Sequence, residues 1–151
     1  MNISKLLEFE EGFKSTPYYC SAGFPTIGIG WRIGERAQPL HDFKMMRICK
    51  AAAYAQLEFE IASIIAKIEG FIPSFKDLNE PRQAVLISMA YQMGIGGLMK
   101  FKKMLAAIDC LDWDAAAAEG LNSKWARQTP ERAKRQMKTL LLGDWSQYEC
   151  L

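Results

Sequence analysis

One block of this chain reads differently from everything around it. From Phe13 to about Ile33, with Gly34 just beyond, glycines at 23, 28, 30 and 34 punctuate Tyr, Phe, Thr, Ile and Trp residues. Aromatic and β-branched side chains suit a pleated surface, and closely spaced glycines mark tight turns. This is the one strong β-signal in the 151 residues. The expected fold class is therefore α+β and mainly α-helical, with a small β-sheet lobe.

Helical signals fill the rest. Residues 2–11 read as a short helix, with Asn2 as cap, Ile3, Leu6 and Leu7 on one face, and Gly12 as its end. A long helix is expected over 50–69, where Tyr54, Leu57, Ile61, Ile64, Ile65 and Ile68 form one apolar stripe. At 1.5 Å per residue it is about 30 Å long, enough to join a small β-lobe to a helical lobe. Pro39 marks the stretch 35–48 as a loop. Asn79 and Pro81 start a helix whose segment Ala84 to Met93 is apolar on nearly every side, as in the middle of a bundle. Short helices follow over 101–108 and 114–119, and Thr129-Pro130 caps and opens a last one that stops at Gly143. The expected organisation is one domain: residues 12–48 a β-rich lobe, 50–69 a connecting helix, and 70–151 with 2–11 a helical lobe.

Composition narrows the function classes. Apolar residues make up 50% and charged residues 24%, the balance of a soluble globular domain. A net charge of +2 argues against a nucleic-acid binder. No run approaches the ~20 apolar residues needed to span a bilayer. The stretch from Met1 to Phe13 is interrupted by Lys5, Glu8, Glu10 and Glu11, so no secretory signal is read there and synthesis in the cytoplasm is expected. Cys20, Cys49, Cys110 and Cys150 match no metal-binding spacing, and free thiols are expected. The single histidine, His41, makes a zinc hydrolase or a paired histidine–nucleophile system a poor fit. No metal or cofactor is expected, and acid–base chemistry falls to carboxylates.

Glu11 draws attention by position. It follows Glu10 at a helix C-terminus, where the helix dipole disfavours negative charge by roughly 0.3–1 kcal/mol. Taken alone, it would still be an ordinary surface acid. Eight residues separate Glu11 from Cys20, and five separate Cys20 from Thr26, within Tyr18-Tyr19-Cys20 and Thr26-Ile27-Gly28-Ile29-Gly30-Trp31. Glu, eight residues, Asp or Cys, five residues, Thr: this pattern resembles the active-site signature of the phage lysozymes of the T-even type, glycoside hydrolase family 24. Gln92-Met93-Gly94, Ser123-Lys124-Trp125, Gln128-Thr129-Pro130, Arg132-Ala133-Lys134-Arg135 and Gly143-Asp144-Trp145 resemble the same family. The similarity covers 1–34 and about 85–151; residues 35–48 match poorly and are shorter here.

The resemblance implies a lysozyme-like fold and a muramidase without a cofactor. Its partner would be the peptidoglycan glycan strand, with no nucleic acid, no stable membrane insertion and a monomeric state. It implies a viral origin and a role in phage lysis, with synthesis in the host cytoplasm and release through the inner membrane by another agent; deployment as a secreted antibacterial effector would use the same chemistry. A glycosidase needs a proton on the departing oxygen and an attack at the sugar carbon. Glu11 would supply the proton. Burial beside Phe9, Phe13 or Ile29 would favour the protonated acid, and Arg132, which the family places near this glutamate, would orient it and work the other way. An inverting reaction holds water on the opposite face, and that task falls to Cys20 and Thr26. A thiol is ordinarily neutral at pH 7, so Cys20 is open to three readings: base, water ligand or structural thiol. Thr26 alone would read as a strand residue. Arg32, Tyr91 and Gln92 align with substrate-contacting positions. Trp113 and Trp125 are expected in the core rather than as sugar platforms. A non-catalytic peptidoglycan-binding relative and a lytic transglycosylase are the alternatives.

Overall fold

A computed structural model describes residues 1–149, so Cys150 lies outside the described residues. It has eight α-helices and a three-stranded sheet among the described residues. Two compact units are distinguished, Leu7–Glu60 and Met1–Leu6 with Ile61–Leu151.

The first unit takes the C-terminal part of α1 (Ile3–Glu11), whose N-terminus Asn2 caps through Oδ1, accepting from Lys5 N–H at 3.0 Å. The helix stops where expected: Gly12 takes φ 72° and donates its N–H to Glu8 O at 2.8 Å. The sheet follows as β1 (Lys14–Tyr19), β2 (Pro25–Gly28) and β3 (Trp31–Arg32), antiparallel in the order β1-β2-β3. β1 is an edge strand with an irregular register between Lys14 and Tyr18, and Pro17 falls inside it, where a missing N–H does least harm. β2 is buried along its whole length. At its end Gly28 has φ 67°, and a Cβ there would lie 3.3 Å from the Ala53 Cβ. The 35–48 stretch is a loop with one 3-10 turn, Leu40–Phe43, just after Pro39. Its end is tied to β1 by Ile48 N–H donating to Ser15 O at 3.0 Å.

The long helix is α2 (Lys50–Phe71), two residues longer than expected. Of its stripe, Leu57, Ile61, Ile64 and Ile68 are buried, while Tyr54 and Ile65 are half-buried. The second unit continues with α3 (Glu80–Met93), α4 (Ile95–Leu98), α5 (Lys102–Asp109), α6 (Trp113–Leu121), α7 (Lys124–Gln128) and α8 (Pro130–Leu142). Asn79 caps α3 as expected, and Ala84 to Ala90 are all buried, which makes α3 the axis of this bundle. α8 packs on α3 and α6, and α5 on α6. Asn79 Nδ2 donates to Gly143 O, and the Arg82 guanidinium donates to Leu140 O and Leu141 O, so the start of α3 satisfies the end of α8.

Two expectations are corrected. Thr129 makes no side-chain cap on α8; its hydroxyl donates to Trp125 O at 3.1 Å, closing the preceding α7 instead. The glycine break after Met93 is not only a break, since Ile95–Leu98 forms a helical turn there. α7 was also missed; Ser123 opens it, accepting from Ala126 N–H at 3.0 Å. No helix is long and apolar enough to cross a membrane, among the described residues.

Candidate active site

The site in the first unit is built on the sheet. Cys20 stands immediately after β1, where its N–H donates to Phe24 O at 3.0 Å and its carbonyl accepts from Gly23 N–H at 2.8 Å. Those bonds fold residues 20–24 into a tight turn. Tyr18 pairs with Thr26, and Thr26 with Arg32. Directly opposed residues on neighbouring strands share a face. The sheet thus sets Tyr18, Thr26 and Arg32 in one row, with Cys20 at its end.

The electrostatics of Cys20 follow from that turn. Burial alone would push the thiol up. The N–H groups of Phe24 and Ala22, the Thr26 hydroxyl and the Arg32 charge outweigh it, and the thiol is held below its ordinary range. Thr26 is buried at 1% exposure. Its one proton is given to Phe24 O at 2.9 Å, so turning it towards the Cys20 sulfur means releasing that carbonyl. The backbone donors and the Arg32 charge therefore favour the anion without breaking any other bond. Arg32 is exposed, and its guanidinium lies 4.6 Å from the Phe24 ring centre, which keeps the charge over the turn.

Glu11 ends α1 and is half-buried. Its charge reaches the row through Tyr18: burial raises that phenol above its ordinary range, and the charges of Glu11 and then Cys20 add to the effect. The charges of the acid and the thiol thus both bear on one tyrosine, which pairs with Thr26 across the strands. Tyr18 and Phe24 were not singled out from the sequence as site residues. The two-residue alternation that puts Tyr18 on the face of Thr26 was the signal available for the first.

Behind Glu11, one turn earlier, Glu8 is held by the start of α2. Lys50 Nζ lies 2.6 Å from Glu8 Oε1, and the Tyr54 hydroxyl donates to Glu8 Oε2. The hydrogen bonds from Lys50 and Tyr54 draw the Glu8 carboxyl below its ordinary range, and the same bond holds Tyr54 up to about 12. The final turn of α1, which carries Glu11, is anchored by this contact.

The remaining expected residues lie in the second unit. Gln92 accepts the indole N–H of Trp125 through Oε1 at 2.7 Å, and Tyr91 beside it is half-buried. Trp125 is buried and meets Phe101 edge-on at 6.0 Å, as a core residue should. Trp113 is half-buried, and the Arg82 guanidinium lies 3.7 Å from the centre of its ring, over one face. Arg132 is buried in the first turn of α8, where Nη2 donates to Ser88 Oγ at 2.9 Å. The run Lys100, Lys102, Lys103 is exposed and borders a pocket of about 490 Å³ lined also by Met93, Phe101 and Trp125. Cys20, Cys49 and Cys110 are free thiols.

A helical chain with one small antiparallel sheet, carrying an acid at a helix end and a polar row beside it, has the makings of a lysozyme-type glycoside hydrolase. Comparison with known proteins bears this out. Residues 8–141 match the model of the phage lysozyme family. The chain is 30% identical to a probable T4-type lysozyme of Dictyostelium discoideum and 27% identical to a second, across 98% of this chain and 98% of each relative. It is 31% identical to the pre-baseplate central spike protein of Enterobacteria phage T4, across 98% of this chain but only 29% of that much longer protein. The chain belongs to the phage lysozyme family, a family of glycoside hydrolases that act on peptidoglycan.

Proposed function

We propose that this protein hydrolyses the β-1,4 bond between N-acetylmuramic acid and N-acetylglucosamine with inversion, and that it serves as an endolysin. Glu11 donates its proton to the glycosidic oxygen as the bond to the sugar carbon breaks. A water held by Cys20 and Thr26 attacks that carbon from the other face. Its proton passes to the Cys20 thiolate, and solvent exchange restores both groups. The observation that carries this reading is the thiol itself. Its position collects two backbone N–H groups and Arg32, which favour the anion that a water-holding group needs. Cys20 can thus do the work of a carboxylate.

Arg132 orients the Glu11 carboxyl, and Arg32, Tyr91 and Gln92 contact the sugars. The Gln92 carbonyl is fixed on Trp125, which turns its amide nitrogen into a directed donor. The protein works as a monomer on glycan strands. It is made in the host cytoplasm and passes the inner membrane by another agent's action.

The test is mass-spectrometric analysis of the fragments released from purified sacculi. Hydrolysis adds one water per cut; anhydro-sugar ends would identify a lytic transglycosylase instead. Glu11→Gln should lower turnover by about 10²–10⁴-fold while the protein still sediments with sacculi. Intact sacculi after hours with wild-type protein would leave only a binding role.

A further inference from the structure

Arg32 is the cation of the row on the sheet. β3 sets it opposite Thr26, and Thr26 lies opposite Tyr18, so the three share a face. Its guanidinium lies 4.6 Å from the centre of the Phe24 ring, so a flat apolar support carries it while the residue itself is exposed. Lys50, Lys76 and Lys134 each meet a glutamate. Among the described residues no carboxylate pairs with Arg32 in this way, and its guanidinium donates to no protein acceptor.

A guanidinium in this state is prepared for an anion. Its donors lie in one plane, and a carboxylate takes two of them side by side. The Phe24 ring sets that plane in advance, so little side-chain freedom is lost when the anion arrives. Sugar hydroxyls and amides are neutral and make weaker contacts with the same donors. A peptidoglycan strand does carry carboxylates beside its sugars. Where no peptide is attached, the lactyl group of N-acetylmuramic acid ends in one; where a stem peptide is attached, the peptide supplies them.

We propose that Arg32 is a specificity-determining residue: on its Phe24 support it receives a carboxylate of the bound glycan strand, so the protein prefers strands that carry free carboxylates. The inference rests on the reading that glycan strands are the substrate, and it narrows which strands are taken. Every residue it uses stands within the sheet and its turn, from Tyr18 to Arg32. The Arg32 charge also bears on the Cys20 thiol, so a change at Arg32 has two possible routes to activity, and the substrate has to separate them.

The experiment uses the full chain in a Glu11→Gln background, which leaves strands uncut, and measures Kd for soluble glycan-strand fragments by calorimetry. Four fragments are compared, all with amines acetylated: strands with stem peptides, strands stripped by an amidase to bare lactyl carboxylates, and each of these with carboxyls capped as methylamides. Capping should weaken binding roughly 5–10-fold for at least one pair, as for a two-point charge-assisted contact between partly exposed groups. Arg32→Gln should lose that factor on uncapped strands and bind capped and uncapped ones alike. Arg32→Lys should keep part of the difference, because the charge remains and the planar fork does not. A capping penalty confined to stripped strands assigns the lactyl carboxylate, and one confined to intact strands assigns the stem peptide. Equal capping penalties in Arg32→Gln and its parent overturn the proposal, and so does the absence of any penalty. Turnover of the same four fragments with Glu11 restored is the second readout. A loss of kcat/KM in Arg32→Gln confined to uncapped strands supports the proposal. A loss of equal size on all four shows that Arg32 acts only through Cys20, and overturns it. If the protein with Glu11 restored cuts none of them, the hydrolase reading is what fails, and the binding arms still decide.

Discussion

Two buried hydroxyls, Thr26 in the sheet and Ser88 in the helical unit, are held by opposite strategies. Thr26 is bonded to a carbonyl two positions away, and its neighbours Cys20, Phe24 and Arg32 come from one short stretch of chain. Ser88 is held by Arg132 and Gln136, 44 and 48 positions away. A site made from one hairpin region depends on turns and register. A site made across two helices depends on packing of the whole bundle. The first can be damaged without unfolding the protein, and the second is tied to stability from the start.

The largest effect expected from breaking this contrast lies at Cys20. Cys20→Ala should lose most activity, by roughly 10²-fold if it holds the water. Cys20→Ser should keep part of it, and neither should shift Tm by more than about 2 °C, since the residue is half-exposed. Turbidity assays on sacculi measure this. Equal, near-wild-type rates would make the thiol structural and erase the difference between the two regions.

Next comes Gly28, where the sheet does depend on packing. An alanine there meets a positive φ of 67° and the Ala53 Cβ at 3.3 Å. The strain is worth about 1–2 kcal/mol, so Gly28→Ala should lower Tm by roughly 3–8 °C. Activity measured well below that Tm should fall too, because Gly28 ends the strand of Thr26.

The Glu8 contact sharpens the contrast through pH. Glu8 lies below its ordinary 4.5 when folded, so its contribution is present above that value and disappears as pH falls through the lowered one. Tyr54 is raised from 10.0 to about 12, so its contribution is present below pH 10 and disappears as pH rises towards 12. Tyr54→Phe should lower the neutral-pH Tm by a few degrees, for a charge-assisted bond worth about 1.5–3 kcal/mol. It should also flatten the alkaline decline. Thermal melts from acid to alkaline pH would show both.

The smallest effect is a gain. Leu111, just after α5, holds φ 58° and is 65% exposed. Leu111→Gly should raise Tm by roughly 2–4 °C, by relieving about 1 kcal/mol of strain, with unchanged turnover.

Much of the fold was legible because its signals are local. Asn2, Asn79 and Gly143 set helix ends by hydrogen bonds within a turn or by a left-handed backbone, and each acts where the sequence indicated. The axial burial of α3 was visible in its unbroken apolar run. Thr129 misled because Thr-Pro marks a cap equally well whether the threonine bonds forward or back; the presence of α7 turned it back to Trp125. Tyr18 needed only the strand register to be placed beside Thr26. Gln136 carried no mark at all, since a polar residue on an outer helix normally faces water.

By itself, then, the sequence determined the single small sheet, the order of helices, and a spaced Glu11, Cys20 and Thr26 whose pattern resembles one enzyme family. Glycines, caps and hydrophobic periods act over a few residues, and the chain cannot satisfy them otherwise. Only the tertiary structure decided what surrounds those groups: the N–H groups and Arg32 that favour the Cys20 anion, the Lys50 and Tyr54 anchor on Glu8, and the Ser88 hydroxyl shared by Arg132 and Gln136. Charge stabilisation and buried hydrogen bonds depend on distance in space and on exclusion of water, and neither is set until the elements have packed.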